Sequence, residues 1–175
     1  MPSPLQSEEE LYNVALRALA RRAHSIHEMR RKLGRYTHNA LLVRVVLARL
    51  KENGHLDDRV FARQFTSQRI ATRKQGPFRI TRELRARGVS DADIHLALAA
   101  SAGETDQAAV IRQRIERKLK SLRGAGSGQK VDSKKVAAIY GSLLRAGFPA
   151  DLIRRELKRL TSAALPDTDP SDLSS

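Results

Sequence analysis

The side chains that could perform catalysis or bind a metal ion lie far apart in this sequence. Of the five histidines, only His24 and His27 are as close as three positions, and there is no Cys. A zinc site needs about three or four nitrogen or sulfur ligands in one place. The segment GAGSG at 124–128 lacks the lysine and the preceding strand of a phosphate-binding loop. The sequence therefore predicts no enzyme, no metal site and no cofactor.

Positive charge is the strongest chemical signal of the chain. There are 33 Lys and Arg against 19 Asp and Glu, a formal net charge of +14. All 33 basic residues lie between Arg17 and Arg159, where only 13 acidic residues occur, so this segment carries a surplus of 20 positive charges. Such a surplus indicates a polyanionic partner, either nucleic acid or an assembly that contains it. The alternative is a soluble helical protein whose basic faces are simply solvated.

The basic residues cluster at the ends and outer faces of predicted helices. If Ile80 and Leu84 face inward, then Arg79, Arg82 and Arg85 are expected to face outward. Basic residues in a last helical turn also complement the helix dipole by about 0.3–1 kcal/mol each, which explains one or two per helix. The candidate partner-binding residues are Arg21, Arg22, Arg30, Arg31, Arg69, Arg73, Lys74, Arg79, Arg82, Arg85, Arg154, Arg155 and Lys158.

The elements that would carry these residues are all helices. Apolar residues recur at helical spacing, and no segment alternates apolar and polar residues as a half-buried strand would. We predict helices near 8–23, 26–35, 40–53, 58–74, 77–87, 91–102, 105–122, 133–146 and 150–161. The sequence therefore predicts an all-α protein.

The stretch NGHLDDRVFARQF ends one helix and begins another within about four residues. Gly54 suits the left-handed conformation that closes a helix, and Asp57 suits the cap of the next one. Leu56 and Phe61 have the spacing of a hydrophobic staple across that cap. This pattern is typical of a fixed junction between packed helical units.

The chain also repeats itself three times. Four apolar positions recur at intervals of 51 and then 59 residues, and each set falls on one helix face. The first set is Met29, Leu33, Val43 and Leu47; the second is Ile80, Leu84, Ile94 and Leu98; the third is Ile139, Leu143, Ile153 and Leu157. We predict three tandem three-helix repeats that form an elongated, curved array.

The predicted boundaries follow from these repeats. Residues 1–10 form an N-terminal extension, and the repeats occupy 11–56, 57–102 and 103–161. The third repeat contains a basic, glycine-rich loop at 123–130 that we expect to be mobile, and 162–175 is expected to be a disordered acidic tail. No apolar run approaches the roughly 20 residues of a membrane span, and the acidic N-terminus is no signal peptide. We therefore expect a cytoplasmic monomer with no membrane contact.

Three-helix units also resemble helix-turn-helix DNA readers, which the second repeat argues against. Its would-be recognition helix, SDADIHLALAAS, begins with Asp91 and Asp93 and has no Lys or Arg. Carboxylates there would repel phosphates, so sequence-specific reading of DNA is not expected. Non-specific contact with phosphates is compatible with the charge, and the candidates for stacking on bases are Tyr12, Tyr36 and Phe78.

Three blocks of this chain resemble the RecX family of recombination regulators. They are ALRALARRAHSIHEMRRKL near the N-terminus, GHLDD followed by FA, GPFRITREL and GV in the centre, and LLRAGFPADLIRREL near the end. The resemblance covers roughly residues 11–160. Its structural signature falls on Gly54, Leu56, Asp57, Asp58, Phe61, Gly76, Pro77, Ile80, Leu84 and Gly88.

The resemblance implies a partner as well as a fold. Members of the family are three tandem three-helix repeats that bind the filament of the RecA recombinase. They lodge in the filament groove and restrain ATP hydrolysis, strand exchange and repressor cleavage. On this basis we expect a RecA inhibitor whose basic residues meet the filament or its DNA. The alternative is a non-specific DNA-binding protein, for single or double strands, with no recombinase partner.

Overall fold

Helices make up all of the regular structure in the described part of the chain. The computed structural model of the protein describes residue 5 and residues 7–102, 106–123 and 133–161. Nine helices and no strand occur within those ranges, which confirms the prediction of an all-α protein. The acidic tail and, apart from Arg123, the predicted mobile loop lie outside the described residues.

The helix ends agree with the predicted ends to within two residues. The helices are α1 (Glu8–Arg21), α2 (Ile26–Leu33), α3 (Ala40–Glu52), α4 (Asp58–Arg73), α5 (Pro77–Arg85), α6 (Asp91–Ala102), α7 (Gln107–Arg123), α8 (Ser133–Arg145) and α9 (Ala150–Leu160). Local capping chemistry explains this agreement. The Ser25 hydroxyl accepts a hydrogen bond from the Glu28 amide at 3.1 Å, and the Ser90 hydroxyl accepts one from the Asp93 amide at 3.2 Å.

The described residues pack as two compact units. Unit 1 comprises those within Met1–Ser67 and Arg82–Ser101, and unit 2 comprises those within Gln68–Thr81 and those from Ala102 onward. Helices α4 and α5 therefore each contribute residues to both units. The predicted boundaries of the three repeats stay a prediction.

The core of unit 1 is built where α1, α2 and α3 pack against one another. Its apolar side chains come from one face of each helix, as the 3.6-residue period requires. The buried members are Leu11, Tyr12, Ala15, Ala18, Met29, Leu33, Val43, Val46, Leu47, Leu50 and Leu56.

The core of unit 2 is built in the same way from α7, α8 and α9. Its buried members are Ile111, Ile115, Leu119, Val136, Ile139, Tyr140, Leu143, Ala146, Phe148, Ile153 and Leu157. One carboxylate is buried in this unit. Glu156 is 1% exposed and accepts a hydrogen bond from Arg112 at 3.0 Å, so its charge is paired.

The repeated apolar positions lie in the interior, as their spacing predicts. All four positions of the first set and all four of the third are buried, and so are Ile80, Leu84 and Ile94 of the second set. Leu98 differs because it is half-buried. The repeated pattern therefore reports burial correctly at every position but the last of the second set.

Candidate partner-binding site

The junction after α3 has the predicted turn and cap. Gly54 has a φ of 69°, the left-handed conformation that favours glycine. The Asp57 carboxylate accepts hydrogen bonds from the amides of Arg59 at 2.8 Å and Val60 at 3.1 Å, which caps α4. Leu56 and Phe61, the residues of the predicted staple, are both buried. These four signature residues are therefore structural.

Asp58, the next residue of the signature, ties α4 to α2. Its carboxylate accepts a hydrogen bond from the Ile26 amide at 2.9 Å, across 32 residues of sequence. Burial raises the pKa of Asp58, with the nearby Asp93 adding to the rise, while the Ile26 amide opposes it. The sequence placed Asp58 in the signature but gave no hint of its partner, because that partner is a backbone group in another helix.

A second tie joins the start of α2 to the turn after α5 within unit 1. The Ser25 hydroxyl donates to the Arg87 carbonyl oxygen at 2.6 Å. Gly88, with a φ of 74°, passes so close to α2 that a Cβ there would lie 2.5 Å from the Cβ of His27. Gly88 is therefore required both for its backbone conformation and for this close approach.

In unit 2, the signature residues Gly76 and Pro77 lie where the backbone before α5 meets the turn between α8 and α9. The Gly76 amide donates to the Ala146 carbonyl at 2.8 Å, and the Phe78 amide donates to the Gly147 carbonyl at 3.0 Å. Pro77 begins α5, where its missing N–H costs nothing. These contacts fix the direction in which α5 leaves the turn.

Arg82 and Arg85 are exposed, as their predicted outward orientation requires, whereas Arg79 is exposed only in part. Arg79 is half-buried because its Cβ lies against Gly147, and its guanidinium donates to the Arg145 carbonyl at 3.5 Å. Arg79 is therefore part of the packing of unit 2 and not a free cation.

The remaining signature residues, Ile80 and Leu84, are fully buried on α5. Their burial is what turns Arg82 and Arg85, on the other side of the helix, toward solvent. Lys74, one of the candidate cations, also ends α4, because its φ of 49° closes the helix and its amide donates to the Ile70 carbonyl at 3.2 Å. Lys74 therefore has a backbone role beside its exposed charge.

The thirteen candidate cations fall into two classes by their contacts. Eight are exposed and form no side-chain ion pair or hydrogen bond with another described residue: Arg21, Arg30, Arg31, Arg73, Lys74, Arg82, Arg155 and Lys158. The other five, Arg22, Arg69, Arg79, Arg85 and Arg154, have contacts with other residues of the protein. The eight exposed residues are called the open cations below.

Two of these five arginines, Arg22 and Arg85, form ion pairs with carboxylates of unit 1. The Arg22 guanidinium donates to Glu28 at 2.8 Å, and Arg87 lies 3.6 Å from the other oxygen of the same carboxylate. Burial disfavours the charge on Glu28, but the Arg22 hydrogen bond and the nearby guanidinium charges outweigh it and lower the pKa of Glu28. Arg85 donates to Asp91 at 2.7 Å and so lowers the pKa of that carboxyl group.

One of the three aromatic residues that were candidates for stacking on bases is covered by an arginine. Tyr12 is buried, and the Arg49 guanidinium lies 4.2 Å from its ring centroid, so Tyr12 is unable to stack on a base. Arg49 also pairs with Glu8 at 3.1 Å and Glu9 at 2.7 Å. Phe78 is 64% exposed and Tyr36 is 40% exposed, so these two rings remain available to a partner.

The first turn of α6 supports the argument against a DNA-reading helix. Asp91 is paired with Arg85, and Asp93 lies 3.6 Å from Arg59, so both carboxylates are paired within unit 1. Among the described residues, no cluster of His, Cys, Asp or Glu could hold a metal ion. A search of the same residues also finds no helix long and apolar enough to cross a membrane.

The sequence of this chain is similar to those of known proteins of one family. A family model described as the first three-helix domain of RecX matches residues 12–50, and one described as the second three-helix domain matches residues 57–98. The regulatory protein RecX of Halorhodospira halophila is 38% identical over 148 residues, which are 85% of this chain and 86% of the relative. The regulatory protein RecX of Pelodictyon phaeoclathratiforme is 30% identical over 156 residues, 89% of this chain and 92% of the relative.

The fold has relatives among solved structures as well. The crystal structure of RecX from Lactobacillus salivarius matches with a TM-score of 0.74, covering 87% of this chain and 96% of that one. The sequence identity in this match is 22%, so the likeness concerns the fold alone. It agrees with the helical-repeat architecture described above.

Proposed function

The chain belongs to the RecX family of regulatory proteins, and from this premise we propose that it inhibits the RecA recombinase by binding in the groove of the RecA–DNA filament. Seated there, it restrains ATP hydrolysis, strand exchange and repressor cleavage. The proposal rests on the family relationship, which extends over 148 residues at 38% identity.

The open cations supply the chemistry that such a partner requires. A nucleoprotein filament is polyanionic, and exposed cationic side chains without internal carboxylate partners break no ion pair of their own when they bind it. Arg21, Arg30, Arg31 and Arg82 present such groups in unit 1, and Arg73, Lys74, Arg155 and Lys158 present them in unit 2. We assign these residues to the partner surface.

The same cations also favour a second function, non-specific binding to DNA with no recombinase. The two functions differ in their response to salt. Binding to bare DNA weakens steeply as salt rises, because every phosphate contact releases counterions. Contacts with a protein filament include buried apolar and hydrogen-bonded groups, which salt screens much less.

The deciding experiment measures ATP hydrolysis by preformed RecA filaments on single-stranded DNA, with and without this protein. A titration of the protein onto bare duplex is run in the same buffer at about 150 mM salt, where the screening length is about 8 Å. We expect inhibition at protein concentrations well below those that coat the duplex. If inhibition requires saturation of the DNA, the second function replaces the first.

Charge reversal tests the assignment of the surface in each unit. Arg31→Glu with Arg82→Glu alters unit 1, and Arg155→Glu with Lys158→Glu alters unit 2. Each pair replaces exposed side chains that have no internal partner, so the free energy of unfolding should change by less than about 0.5 kcal/mol per site. We expect each pair to weaken the inhibition.

The matched control reverses two arginines of unit 1 that are exposed and equally unpaired but lie outside the assigned surface. These are Arg17 of α1 and Arg63 of α4. Their reversal removes the same net charge, so a purely general charge effect would weaken inhibition as much as the Arg31 and Arg82 pair does. Equal losses in the two double variants would contradict the assigned surface in unit 1.

A further inference from the structure

A basic cavity in unit 1 lies outside the structural signature. It is a cleft that is wide open to solvent, with a volume of about 510 Å³, and it forms where the end of α2, the following loop and the start of α3 come together. Its lining residues are Arg30, Gly34, Thr37, His38, Ala40, Val43 and Arg44. Pockets of roughly 300–1,000 Å³ are those that take small organic ligands.

The charges of this cavity are all positive. Arg30 reaches it from α2 and Arg44 from α3, and neither guanidinium forms an ion pair or hydrogen bond with another described residue. No Asp or Glu is among the lining residues. A site of this kind repels cations and attracts anions, because no internal carboxylate neutralises it.

Further hydrogen-bond donors and a dipole lie beside the two guanidinium groups. His38 contributes an imidazole, and Thr37, which is only 6% exposed, contributes a hydroxyl that accepts a hydrogen bond from the Asn39 amide at 3.2 Å and keeps its own hydrogen to donate. Ala40, the first residue of α3, also lines the cavity, so the positive end of that helix lies beside it, with the Leu42 amide already bonded to the Asn39 cap at 3.0 Å. The first turn of α3 contains no acidic residue that would cancel this end.

We propose that this cavity binds the phosphate group of a nucleotide, either free or at the end or in the backbone of a nucleic-acid strand. A terminal phosphate presents three free oxygens and a backbone phosphodiester presents two, arranged tetrahedrally about phosphorus, which suits donors that approach from α2, from the loop and from α3. A carboxylate has two oxygens in one plane and would satisfy fewer of these donors. The volume leaves room for the attached sugar, so a bare anion would not fill the cavity.

The proposal does not depend on the recombinase. It concerns binding to the isolated protein, and its test contains no RecA. The probes are AMP, and an oligothymidine prepared with either a 5′-phosphate or a 5′-hydroxyl. Binding is measured by calorimetry for AMP and by fluorescence anisotropy for the strands.

The decisive variant is Arg30→Gln with Arg44→Gln, and the control is Arg17→Gln with Arg63→Gln, which removes the same charge from exposed positions of unit 1. We expect the first pair to weaken phosphate binding about tenfold or more, because a hydrogen bond to a charged group is worth at least that factor. The control pair should change phosphate binding by less than about threefold, because distant charges act only through a long-range attraction that salt screens. Arg30→Lys with Arg44→Lys keeps the positive charge but loses the two parallel hydrogen bonds that a guanidinium donates. Its phosphate affinity should lie between those of the two glutamine pairs.

The probes identify the source of the phosphate. Binding of AMP that depends on Arg30 and Arg44 supports a free nucleotide as the ligand. A preference for the 5′-phosphorylated strand supports the end of a strand. Equal binding of both strands without binding of AMP supports the strand backbone. The proposal is overturned if the control pair weakens binding as much as the cavity pair. It is also overturned if an acidic polyglutamate peptide binds through Arg30 and Arg44 while the phosphate probes do not. Circular dichroism of each variant verifies that the helices are intact.

Discussion

The Cα of Gly76 faces the backbone of Gly147 so closely that a Cβ on Gly76 would lie 2.3 Å from both the carbonyl carbon and the carbonyl oxygen of Gly147 and 2.5 Å from the Phe148 amide nitrogen. Both neighbours are backbone atoms, which are unable to rotate away as a side chain does. This contact explains why the turn before α5 carries glycine immediately before proline.

Gly76→Ala is therefore expected to destabilise unit 2 by about 1–3 kcal/mol or more, the usual cost of forcing extra volume into a packed site. The matched control is Gly141→Ala in α8, where the nearest atom, at 3.3 Å, belongs to the mobile end of Arg145. That change should stabilise the protein by about 0.5–1 kcal/mol, since alanine is the better helix former. Urea unfolding measures both, and equal effects of the two variants would contradict the close contact.

Two glycines with the same backbone conformation should respond differently to alanine. Gly54 and Gly88 have φ of 69° and 74°, but a Cβ on Gly54 has no atom within 4 Å, whereas one on Gly88 would meet His27. Gly54→Ala should cost about 1–2 kcal/mol for the left-handed conformation alone. Gly88→Ala should cost about 1–3 kcal/mol more, for the collision. Thermal unfolding compares the stabilities of the two variants. An equal loss would mean that α2 moves away from the added methyl group at no cost in free energy.

The interior face of the second repeat should be far more sensitive than its basic face. Leu84 and Ile94 are fully buried, whereas Arg82 is exposed. Leu84→Ala or Ile94→Ala should lower the free energy of unfolding by about 2–5 kcal/mol, and Arg82→Ala should change it by less than about 0.5 kcal/mol. Chemical denaturation measures the three variants. Similar losses in all of them would show that the helix faces are misassigned.

Glu28 should make stability depend on acid pH. Its folded-state pKa is lowered, so the stability that it contributes is complete above the ordinary pKa of a glutamate and is lost as pH falls through the lowered value. Glu28→Gln should therefore cost about 1 kcal/mol near neutral pH, discounted for the exposure of Arg22, and progressively less in acid. Unfolding curves measured at several pH values follow this difference.

The partner of Glu28 provides the control for that series. Arg22→Gln removes the same ion pair from the other side, so the double variant with Glu28→Gln should cost less than the sum of the two single variants. Strict additivity, or a cost of Glu28→Gln that grows as the pH falls, would contradict the assigned pairing.

The helices, their ends and their buried faces could all be predicted from the amino-acid sequence. These features are local: a cap such as Asp57 acts on amides two and three residues away, and an apolar face follows from a period of 3.6 residues. The family also follows from the sequence, because its signature blocks are contiguous. Among the repeated apolar positions, only Leu98, the last of its set, is half-buried and not fully buried as predicted.

Only the tertiary structure decided which basic side chains are open to a partner. Arg49 pairs with Glu8 across 41 residues, and Arg79 lies against Gly147 in a turn far along the chain. The Asp58 carboxylate, likewise, meets an amide of another helix. Such pairings depend on how helices pack, and helical periodicity places a charge on a face without specifying what that face meets. For this reason the sequence located the basic faces, and only packing separated the open cations from those already held.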